Sequence, residues 1–507
     1  MAVTSSTVEP IDLATLSLDS FAGRPVAVLG LARSGIALAR FLHDHGASVT
    51  VYDARSTEQL SDALAALEGR PVRALLGPGH APASALAGQA LICTSPSVSS
   101  RYPTTEPLLR AALAAIEAAG HTPVVSEMDL FLRLCPALTI GVTGTKGKTT
   151  TSSLCAAVLT AGREPVLLGG NIGTPLVERL PELTPRHRVV LEISELQLPT
   201  LSRGTLVAVY THVTADHLDR HGDVDSYRAV KRRLAELLPA DGVLVINDED
   251  PVSASYADAG AARVVRYRRT GPPRGGVGVA DGWIVADAVQ RLDSCGAGPA
   301  ETGPGGRVMP LERIGLPGSH NRSNVAAAVA VGLLFGIAPD AIATAVAGFE
   351  GVEHRLEPVG QADGVRYVND SQGTQPDAVI AALRSFPKPL VLICGGRSKG
   401  VPIDELAQVA AERLSAAVVI GESGPELAAA FRVAGLARCE SAPTLEAAVS
   451  RADAICRELL SGAEPATVLL SPAATSFDMF LDYAARGRAF KAAVAGLLER
   501  RRQEART

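Results

Sequence analysis

The 507-residue sequence predicts an α/β protein with three domains in series. Apolar runs of strand length alternate with helical segments through most of the chain, which is the pattern of sheets joined by crossover helices. Glycine-rich or polar turns follow these runs, at the positions where ligands bind in such sheets. The length is sufficient for two to four domains. We expect the domains to span residues 1–126, 127–351 and 352–507.

The composition argues against several classes of protein. Hydrophobic residues make up 47% of the chain and charged residues 20%, enough for several ordinary cores. A net charge of −5 gives no case for a nucleic-acid partner. Seven cysteines without a C-x-x-C pair favour the reduced cytoplasm over a disulfide framework or a zinc cluster. The start of the chain lacks the features of a signal peptide. The apolar run at 325–338 is shorter than the roughly 20 residues of a membrane span, so we expect a buried helix and no membrane partner.

The first domain opens with the pattern strand, turn, helix, strand: RPVAVLG, LARSG, IALARFLHDHG and ASVTVYD. The turn has the spacing Gly30-x-Ala32-x-x-Gly35, and Asp53 follows eighteen residues after Gly35. This is typical of one half of a Rossmann-like domain. The spacing alone is weak evidence for a dinucleotide, so NAD, another nucleotide-shaped ligand and no ligand all stay open. A further strand, ALICTSP, ends in a polar turn that contains Ser97.

The second domain contains LTIGVTGTKGKTTTSSLCAAVLTAG, which predicts a strand, a glycine-rich turn and a helix. The turn has the core GTKGKT of a phosphate-binding loop, although Val142 stands where the full pattern has its first glycine. Backbone N–H groups and the positive end of the helix bind phosphate in such loops. We expect Lys148 to reach the outer phosphates and Thr149 to ligate magnesium. The runs VVLEISELQL, GTLVAVYTHV and DGVLVIN extend a P-loop ATPase-like parallel sheet, followed by loops at 274–276 and 295–306 around a short strand, DGWIVADA.

The third domain is predicted as a second Rossmann-like α/β unit, without a phosphate loop of its own. Its strands are VRYVND, PLVLICGG, AAVVIG and ATVLLSP. The polar turns NDSQGT, GGRSKG and SPAATSFD lie at strand ends. Because ligands bind at the carboxyl ends of parallel strands, these turns are candidate binding loops.

Three patterns in the second domain suggest metal or phosphate chemistry. Glu192 lies inside an apolar strand, where a carboxylate is costly to bury unless it forms a salt bridge or binds a metal. His217 lies in THVTADHLDRHG, which is either a solvated polar loop or a site where a neutral imidazole ligates magnesium or orients a substrate. Tyr227 and Lys231 are four residues apart on a predicted helix and share a face. Lys231 would repel a metal unless CO2 carbamylates its amine.

Two further pairs are candidate nucleotide contacts. Asn321 and Asn324 lie three residues apart at a predicted helix start, where they suit a purine edge or a phosphate, or cap the helix. His354 and Arg355 form a compact pair that we expect to be cationic.

Nine motifs occur in an order that resembles the Mur ligase family of ATP-dependent amide-forming enzymes, over about residues 26–491. They are TGTKGKTT, GGNIG, the Glu192 strand, DHLDRHG, YRAVK, GSHNRSN, EHRLE, NDS and SPAATSFD. The Rossmann-like first domain, DHLDRHG and SPAATSFDMF resemble the branch that adds glutamate to UDP-N-acetylmuramoyl-L-alanine. This resemblance implies a cytoplasmic enzyme of peptidoglycan precursor synthesis, monomeric, that uses ATP, Mg2+ (two ions) and these two small-molecule substrates.

The resemblance also implies residue roles. Lys148, His217 and carbamylated Lys231 would be catalytic. Thr149 and Glu192 would ligate one magnesium ion, and His217 and Lys231 the second. The ATP contacts would be Gly144, Thr145, Lys146, Gly147, Lys148, Thr149, Thr150, Asn321, Asn324, Arg355 and Asp370. The contacts to the UDP substrate would be Ser34, Asp53, Arg55, Ser97, Asn171 and His217. Glutamate would be bound by Thr374, Lys399, Ser471 and Phe477.

The sequence departs from the family pattern at three positions. Lys146 stands where asparagine is usual, and Ser97 where glycine is common. Gln372 in NDSQGT replaces a usual lysine, which removes a positive charge beside the glutamate site. Ligation of L-glutamate is therefore an alternative. A folate-type glutamate-adding ligase is another, since it shares the phosphate loop and the Asn motifs, although it lacks this N-terminal domain. The hypothesis of a dehydrogenase does not explain the phosphate loop. The hypothesis of a non-catalytic ATP-binding module or a GTPase-like switch does not explain Glu192, His217 and Lys231.

Overall fold

Three largely parallel sheets organise the part of the chain that is described in this computed structural model. The chain divides into two compact units, Met1–Phe349 and Glu350–Thr507. The predicted domain boundaries after residues 126 and 351 stay predictions. The structure describes residues 8–96, 98–102, 105–173, 175–214, 221–316, 318–398, 401–460 and 465–504.

The first sheet has the strand order β3-β2-β1-β4-β5, and its strand pairs are all parallel. Its strands are β1 Pro25–Leu29, β2 Ser48–Asp53, β3 Arg73–Leu76, β4 Leu91–Thr94 and β5 Val124–Ser126. Its helices are α1 Arg33–Asp44, α2 Ser61–Ala65, α3 Pro82–Leu86, α4 Pro107–Ala119 and α5 Glu127–Leu134. The predicted strand–turn–helix–strand opening is therefore present.

Gly35 explains why the first turn contains glycine. A Cβ atom built at this position would lie 1.7 Å from the carbonyl oxygen of Gly30. No larger residue would allow helix α1 to begin so close to the end of β1. The glycine spacing thus has a packing reason that is independent of any bound nucleotide.

The second sheet has nine strands, in the order β14-β13-β12-β11-β10-β9-β6-β8-β7. They are β6 Leu138–Thr143, β7 Val166–Gly170, β8 Arg188–Glu192, β9 Val207–Tyr210, β10 Val243–Asn247, β11 Arg263–Tyr267, β12 Gly276–Ala280, β13 Trp283–Asp287 and β14 Arg307–Pro310. The pairs from β7 to β12 are parallel, whereas β13 pairs antiparallel with both β12 and β14. The prediction of a parallel sheet therefore holds from β7 to β12 and did not include the antiparallel pairing at β13. It missed β12 and β14 because the short strand GVGVA has little side-chain pattern and gains its order from pairing.

Helices on the second sheet bury the apolar sequence predicted to be a core helix. They are α6 Lys148–Thr160, α7 Val224–Glu236, α8 Pro251–Ser255, α9 Ser319–Leu334 and α10 Pro339–Ala347. Residues 325–334 of α9 are all buried, as expected for a helix that is apolar on every side. The helix ends at Leu334, so the last four residues of the run at 325–338 lie outside it.

The second unit contains a six-stranded sheet with the order β15-β16-β20-β17-β18-β19. Its strands are β15 Glu357–Ala362, β16 Val365–Asn369, β17 Leu390–Gly395, β18 Ala416–Ile420, β19 Cys439–Ser441 and β20 Ala466–Leu470. Its helices are α11 Pro376–Leu383, α12 Asp404–Arg413, α13 Gly424–Val433, α14 Leu445–Leu459 and α15 Tyr483–Glu504. Only β15 runs antiparallel, and hydrophobic clusters cover both faces of the sheet. The predicted strands of the third domain correspond to β16, β17, β18 and β20.

The seven cysteines are free thiols, in agreement with the prediction of no disulfide framework. Burial raises the pKa of the thiols of Cys93, Cys155 and Cys394. None of the helices in the described ranges has both the length and the apolar character that a membrane span requires.

Gly35→Ala is expected to lower the free energy of unfolding by at least about 2 kcal/mol, because the new methyl group would overlap the Gly30 carbonyl. Chemical denaturation of both proteins measures the difference. Gly79→Ala is the control, since a Cβ atom at Gly79 would meet no atom within 4 Å. Equal denaturation midpoints for the two variants would contradict this packing role.

Candidate active site

The phosphate loop lies between strand β6 and helix α6, at the carboxyl end of the second sheet. A Cβ atom on Gly144 would lie 2.0 Å from Thr211 Oγ1, and one on Gly147 would lie 2.8 Å from Asn324 Oδ1. Glycine is therefore required at both positions for the loop to pack against its neighbours. Helix α6 has no side-chain cap, so the N–H groups of its first turn are available to an anion.

The end of strand β9 holds this loop. The N–H groups of Thr145 and Lys146 donate to the carbonyl oxygen of His212 over 2.7 and 3.3 Å. Thr211 Oγ1 donates to the carbonyl oxygen of Lys146 over 2.6 Å. The loop therefore keeps its shape without a bound nucleotide.

The amine of Lys148 folds back over the loop. Its Nζ donates to the carbonyl oxygens of Gly144 and Thr145, each over 3.0 Å. A phosphate at the start of α6 would offer Lys148 a stronger, charged acceptor at the same place. Thr149, in the first turn of α6, is buried and Thr150 is partly exposed. This arrangement fits the predicted phosphate-binding role.

Glu192 ends strand β8 and is 2% exposed. Asn171 Nδ2 donates to its Oε1 over 2.8 Å, whereas Oε2 has no hydrogen-bond partner among the described residues. An unpaired buried carboxylate oxygen is costly, and a cation would remove that cost. Mg2+ binds through one or two carboxylates together with water and substrate phosphates. The residues therefore fit a magnesium ion, even though the described residues contain no cluster of three acidic, histidine or cysteine ligands.

Lys231 is completely buried on helix α7, and it does share a face with Tyr227. Its Nζ lies 3.4 Å from Thr143 Oγ1 and 3.6 Å from Glu195 Oε2. The hydroxyl of Tyr227 is 2.9 Å from Thr145 Oγ1 in the phosphate loop. The helix thus directs both side chains towards the carboxyl end of β6. A carbamate on Lys231 would place a second anion near Glu195, which a bound divalent cation would neutralise.

Asn321 and Asn324 are buried beside the phosphate loop and do not cap their helix. The N-cap of α9 is Gly318, without a side-chain cap. Asn324 Nδ2 donates to Asn321 Oδ1 over 3.0 Å, and Thr151 Oγ1 of α6 donates to Asn324 Oδ1 over 3.2 Å. Of the two alternatives left open by the sequence, capping is therefore wrong. A nucleotide contact stays a prediction.

The predicted UDP-binding turn is organised around Asp53. Its Oδ2 accepts the N–H of Leu31 over 2.8 Å, and its carboxylate accepts both the Nε and the Nη2 of Arg55. Burial favours a higher pKa for Asp53, but the hydrogen bonds from Arg55 and the backbone outweigh it and hold the pKa below its usual value. Asp53 therefore orients Arg55 and the glycine turn. Ser34 lies in the first turn of α1 and is partly exposed.

In the second unit, two residues predicted to contact different ligands bind each other. Ser471 Oγ donates to Asp370 Oδ2 over 2.6 Å, and the N–H of Leu356 donates to Oδ1 over 3.2 Å. Burial raises the pKa of Asp370 to about 6, opposed by the hydrogen bonds from Ser471 and Leu356 and the charge of Arg355. A Cβ atom on Gly373 would lie 2.4 Å from Asp370 Oδ2 and 2.5 Å from Ser471 Oγ. The pair therefore depends on glycine in NDSQGT.

The expected cationic character of the His354–Arg355 pair is wrong for His354. This residue is 3% exposed, and burial lowers the pKa of its imidazole despite the nearby Glu353 and Glu357. Its Nδ1 accepts a hydrogen bond from Asn369 Nδ2 over 2.9 Å. His354 is therefore a neutral core residue, and only Arg355 stays a phosphate candidate.

The remaining predicted residues are only partly located. Phe477 is 62% exposed, and the N–H of Thr374 donates to the carbonyl oxygen of Gln372 over 2.8 Å. The side-chain oxygen Oε1 of Gln372 is buried without a partner among the described residues. His217, Ser97 and Lys399 lie outside the described residues.

Comparisons with known proteins cover nearly the whole chain. The Mur ligase MurD-like N-terminal domain matches residues 24–120, the Mur ligase middle domain residues 142–332, and the Mur ligase glutamate ligase domain residues 354–474. A UDP-N-acetylmuramoylalanine–D-glutamate ligase from Symbiobacterium thermophilum is 38% identical, over 93% of this chain and 98% of the relative. One from Pelotomaculum thermopropionicum is 37% identical, over 95% and 99%. The chain belongs to the Mur ligase family.

This membership makes the chain an ATP-dependent ligase that forms amide bonds. A solved structure gives the same fold: the UDP-N-acetylmuramate-alanine ligase of Thermotoga maritima superposes with a TM-score of 0.53. It covers 95% of this chain and 100% of its own length at 17% identity. The predictions of an α/β fold and of a Mur ligase are confirmed.

Arg486 is a residue that the sequence did not single out in this Mur ligase. It lies in the first turn of α15, is 1% exposed, and has no ion-paired carboxylate among the described residues. Its guanidinium donates to Ser371 Oγ and to the carbonyl oxygens of Ser371 and Ala474 over 3.0 to 3.2 Å. A Cβ atom on Gly396 would lie 3.3 Å from its Nη1. Arg486 therefore joins NDSQGT to SPAATSFD and lies beside Gly396 of GGRSKG.

The charge of Arg486 is retained at neutral pH. Burial lowers the pKa of its guanidinium to about 10, which still leaves the group protonated. In sequence, AARGRAF resembles the exposed basic end of a helix. Arg486 could not be singled out because its burial is not visible in that pattern.

Arg486→Met is expected to raise the KM for glutamate and lower kcat, together by about tenfold or more in kcat/KM, because two loops lose three hydrogen bonds to a charged donor. Arg486→Lys keeps the positive charge but lacks the planar guanidinium with its several donors. It should therefore retain only part of the wild-type kcat/KM. Steady-state kinetics with each substrate varied in turn measures both.

Arg488→Met is the matched control, since Arg488 lies two residues further along the same helix and is exposed. An Arg486→Met enzyme with the kinetics of Arg488→Met would contradict the role of Arg486.

Proposed function

We propose that the chain ligates D-glutamate to the L-alanyl carboxylate of UDP-N-acetylmuramoyl-L-alanine, with ATP converted to ADP and phosphate. The observation that carries this proposal is the combination of the phosphate loop with the unpaired Glu192 carboxylate in a Mur ligase. The relatives named for this reaction cover more than nine-tenths of the chain. The place in metabolism is cytoplasmic peptidoglycan precursor synthesis.

The chemistry requires activation of a carboxylate, because hydroxide is a poor leaving group. Transfer of the γ-phosphoryl group of ATP to the alanyl carboxylate gives an acyl phosphate. The amine of glutamate then attacks the acyl carbon, and phosphate leaves with the bonding electrons of the C–O bond. Positioning and charge neutralisation account for most of the catalysis in such steps.

In this proposal the residues of the second sheet bind the ATP phosphates and neutralise their charge. The amine of Lys148 moves from the loop carbonyls to the β- and γ-phosphates. There it stabilises the negative charge that develops during transfer. Bound magnesium would neutralise the phosphate oxygens, with one ion held by Thr149 and Glu192 and a second by His217 and carbamylated Lys231. Asn171, fixed against Glu192, orients the muramoyl-alanyl part of the substrate.

The other predicted residues complete the binding sites in the proposal. Arg355 binds phosphate and Asp370 the ribose of ATP, with Asn321 and Asn324 beside the loop. The UDP moiety contacts Ser34, Asp53, Arg55, Ser97 and His217. Glutamate contacts Thr374, Lys399, Ser471 and Phe477. We further propose domains at residues 1–126, 127–351 and 352–507, a monomer, and no nucleic-acid or membrane partner.

The D-enantiomer is favoured because the relatives are named for D-glutamate, although Gln372 leaves L-glutamate as the second candidate. Purified enzyme with ATP and UDP-N-acetylmuramoyl-L-alanine is expected to release phosphate with D-glutamate and not with L-glutamate. Colorimetric phosphate measurement tests this, with omission of either co-substrate as the control. Release with L-glutamate alone would refute the proposed specificity, and release with neither would refute the function.

Lys231→Ala is expected to lower kcat by about a thousandfold, because the second metal loses an anionic ligand at the site of developing charge. Added acetate should restore part of the activity by supplying that carboxylate. Arg232→Ala, on the same helix, removes partly exposed ion pairs with Glu236 and Asp258 and serves as the control. Unchanged kcat in Lys231→Ala would contradict the role. Loss without recovery in acetate would contradict the carbamate.

A further inference from the structure

Glu127 is a buried carboxylate that none of the roles above uses. It is the first residue of helix α5 and is 4% exposed. Its Oε1 accepts hydrogen bonds from the backbone N–H groups of Leu176 and Val177, over 3.2 and 3.4 Å. These two residues begin the 3₁₀ turn Val177–Glu182, which packs against α5 and α1. A carboxylate on one helix thus caps a separate segment of the chain.

The segment that Glu127 caps begins at Asn171. The backbone N–H of Asn171 donates to the carbonyl oxygen of Glu192, and its Nδ2 donates to Glu192 Oε1, each over 2.8 Å. Leu176 is buried, and a Cβ atom on Gly169 would lie 2.6 Å from its Cδ2. We call residues 171–177 the Asn171 loop, of which residue 174 lies outside the described ranges. Glu192 holds the start of this loop and Glu127 holds its end.

Arg33 links Glu127 to the glycine turn of the first sheet. It precedes Ser34 in the first turn of α1, and its positive charge attracts the Glu127 carboxylate. Strand β5, which also packs on α5, carries no charged residue. The other charged side chains on these elements have partners other than Glu127: Arg40 with Glu68 and Glu178, Arg179 with Glu182, Asp129 with Arg133, and Asp44 with Arg70 and His43.

We propose that Glu127 is a positioning residue for the first substrate: its ionised carboxylate fastens the end of the Asn171 loop and thereby fixes Asn171 against Glu192. The proposal rests on the proposed function, in which Asn171 orients the muramoyl-alanyl group. Glu127 itself does not touch substrate. Its effect should therefore fall on the KM of UDP-N-acetylmuramoyl-L-alanine and spare that of ATP.

The charge state of Glu127 changes near neutral pH. Burial raises the pKa of this carboxyl to about 7, against the opposing effect of the N–H groups of Val177 and Leu176 and of Arg33. An ionised carboxylate accepts hydrogen bonds about twice as strong as those of a neutral acceptor. The loop should therefore be held more firmly at pH 8 than at pH 6.

The raised pKa of Glu127 has the opposite effect on the stability of the folded protein, which falls as the pH rises. The pKa of Glu127 is higher in the folded state than the value of about 4.3 in an unfolded chain. Its contribution to stability is fully present below that lower value and is lost as pH rises through 7. Glu127→Gln, which stays neutral, should therefore be more stable than the wild type at pH 8 while binding the substrate less well. A purely structural carboxylate would not separate these two effects.

The test compares Glu127→Ala, Glu127→Gln and a matched control, Asp129→Asn. Asp129 lies two residues further along α5, is 1% exposed, and accepts hydrogen bonds from Ser202, away from the Asn171 loop. Hydrogen exchange followed by mass spectrometry reports the peptide 169–180 in the free enzyme. Steady-state kinetics gives kcat and the KM of each substrate between pH 6 and 8. Thermal denaturation gives the relative stability.

We expect Glu127→Ala to accelerate exchange at Leu176 and Val177 and raise the KM of UDP-N-acetylmuramoyl-L-alanine, each by about tenfold, the effect of losing a hydrogen bond to a charged group. The KM of ATP should change by less than about twofold. Glu127→Gln should match the wild type at pH 6, and the ratio of their kcat/KM values should reach about threefold or more in favour of the wild type by pH 8. Asp129→Asn should show neither the exchange nor the KM effect.

Three outcomes would overturn the proposal. They are unchanged exchange and KM in Glu127→Ala, the same profile in Asp129→Asn as in the Glu127 variants, and a pH-independent ratio of wild type to Glu127→Gln. An inactive wild-type enzyme would instead refute the proposed function. Exchange in the free protein would then still decide whether Glu127 anchors the loop.

Discussion

The hydrogen bonds between the end of strand β9 and the phosphate loop are the constraint on which the rest of the candidate site depends. The carbonyl oxygen of His212 accepts the N–H groups of Thr145 and Lys146, and Thr211 closes the loop from the other side. Because these contacts are made by backbone and by one hydroxyl, the loop is shaped before any phosphate binds. Lys148, Asn324 and Tyr227 then all contact a loop of fixed geometry. Preorganised groups of this kind need no rearrangement when charge moves during a reaction.

Each unit contains a buried charged side chain that forms no ion pair with another described residue. In the first unit, Glu192 Oε2 is an acceptor that the described residues leave unused, at the end of the strand beside the phosphate loop. In the second unit, Arg486 is a buried cation that donates hydrogen bonds to neutral oxygens in two loops. Isolated buried charges are costly in a folded protein. A cation would remove that cost at Glu192, whereas hydrogen bonds to protein oxygens and the charge of Asp478 offset it at Arg486.

Particular residues show how far the sequence predicted this site. The sequence singled out Glu192 as a carboxylate in an apolar strand, Lys231 by its helical spacing from Tyr227, and the phosphate loop by its glycines, because these signals are local. His354 was misjudged since its neighbours in sequence, Glu353 and Arg355, suggest an exposed charged turn, whereas it is buried against Asn369. Arg486 and Glu127 were missed because their partners lie far along the chain, and nothing in the local pattern signals a buried charge. The edge strands β12 and β14 were missed for the related reason that pairing, and not side-chain periodicity, defines them.

The sequence by itself determined the fold class, the family and the position of the phosphate loop, because strand and helix periodicities and glycine requirements are local properties. Only the tertiary structure decided which side chains meet: Asn171 with Glu192, Ser471 with Asp370, Glu127 with the end of the Asn171 loop, and Arg486 with two loops. These contacts join residues that are between 12 and 115 positions apart. Burial shifts the pKa of Asp370, Glu127 and Arg486, and burial is a property of packing that no short stretch of sequence contains.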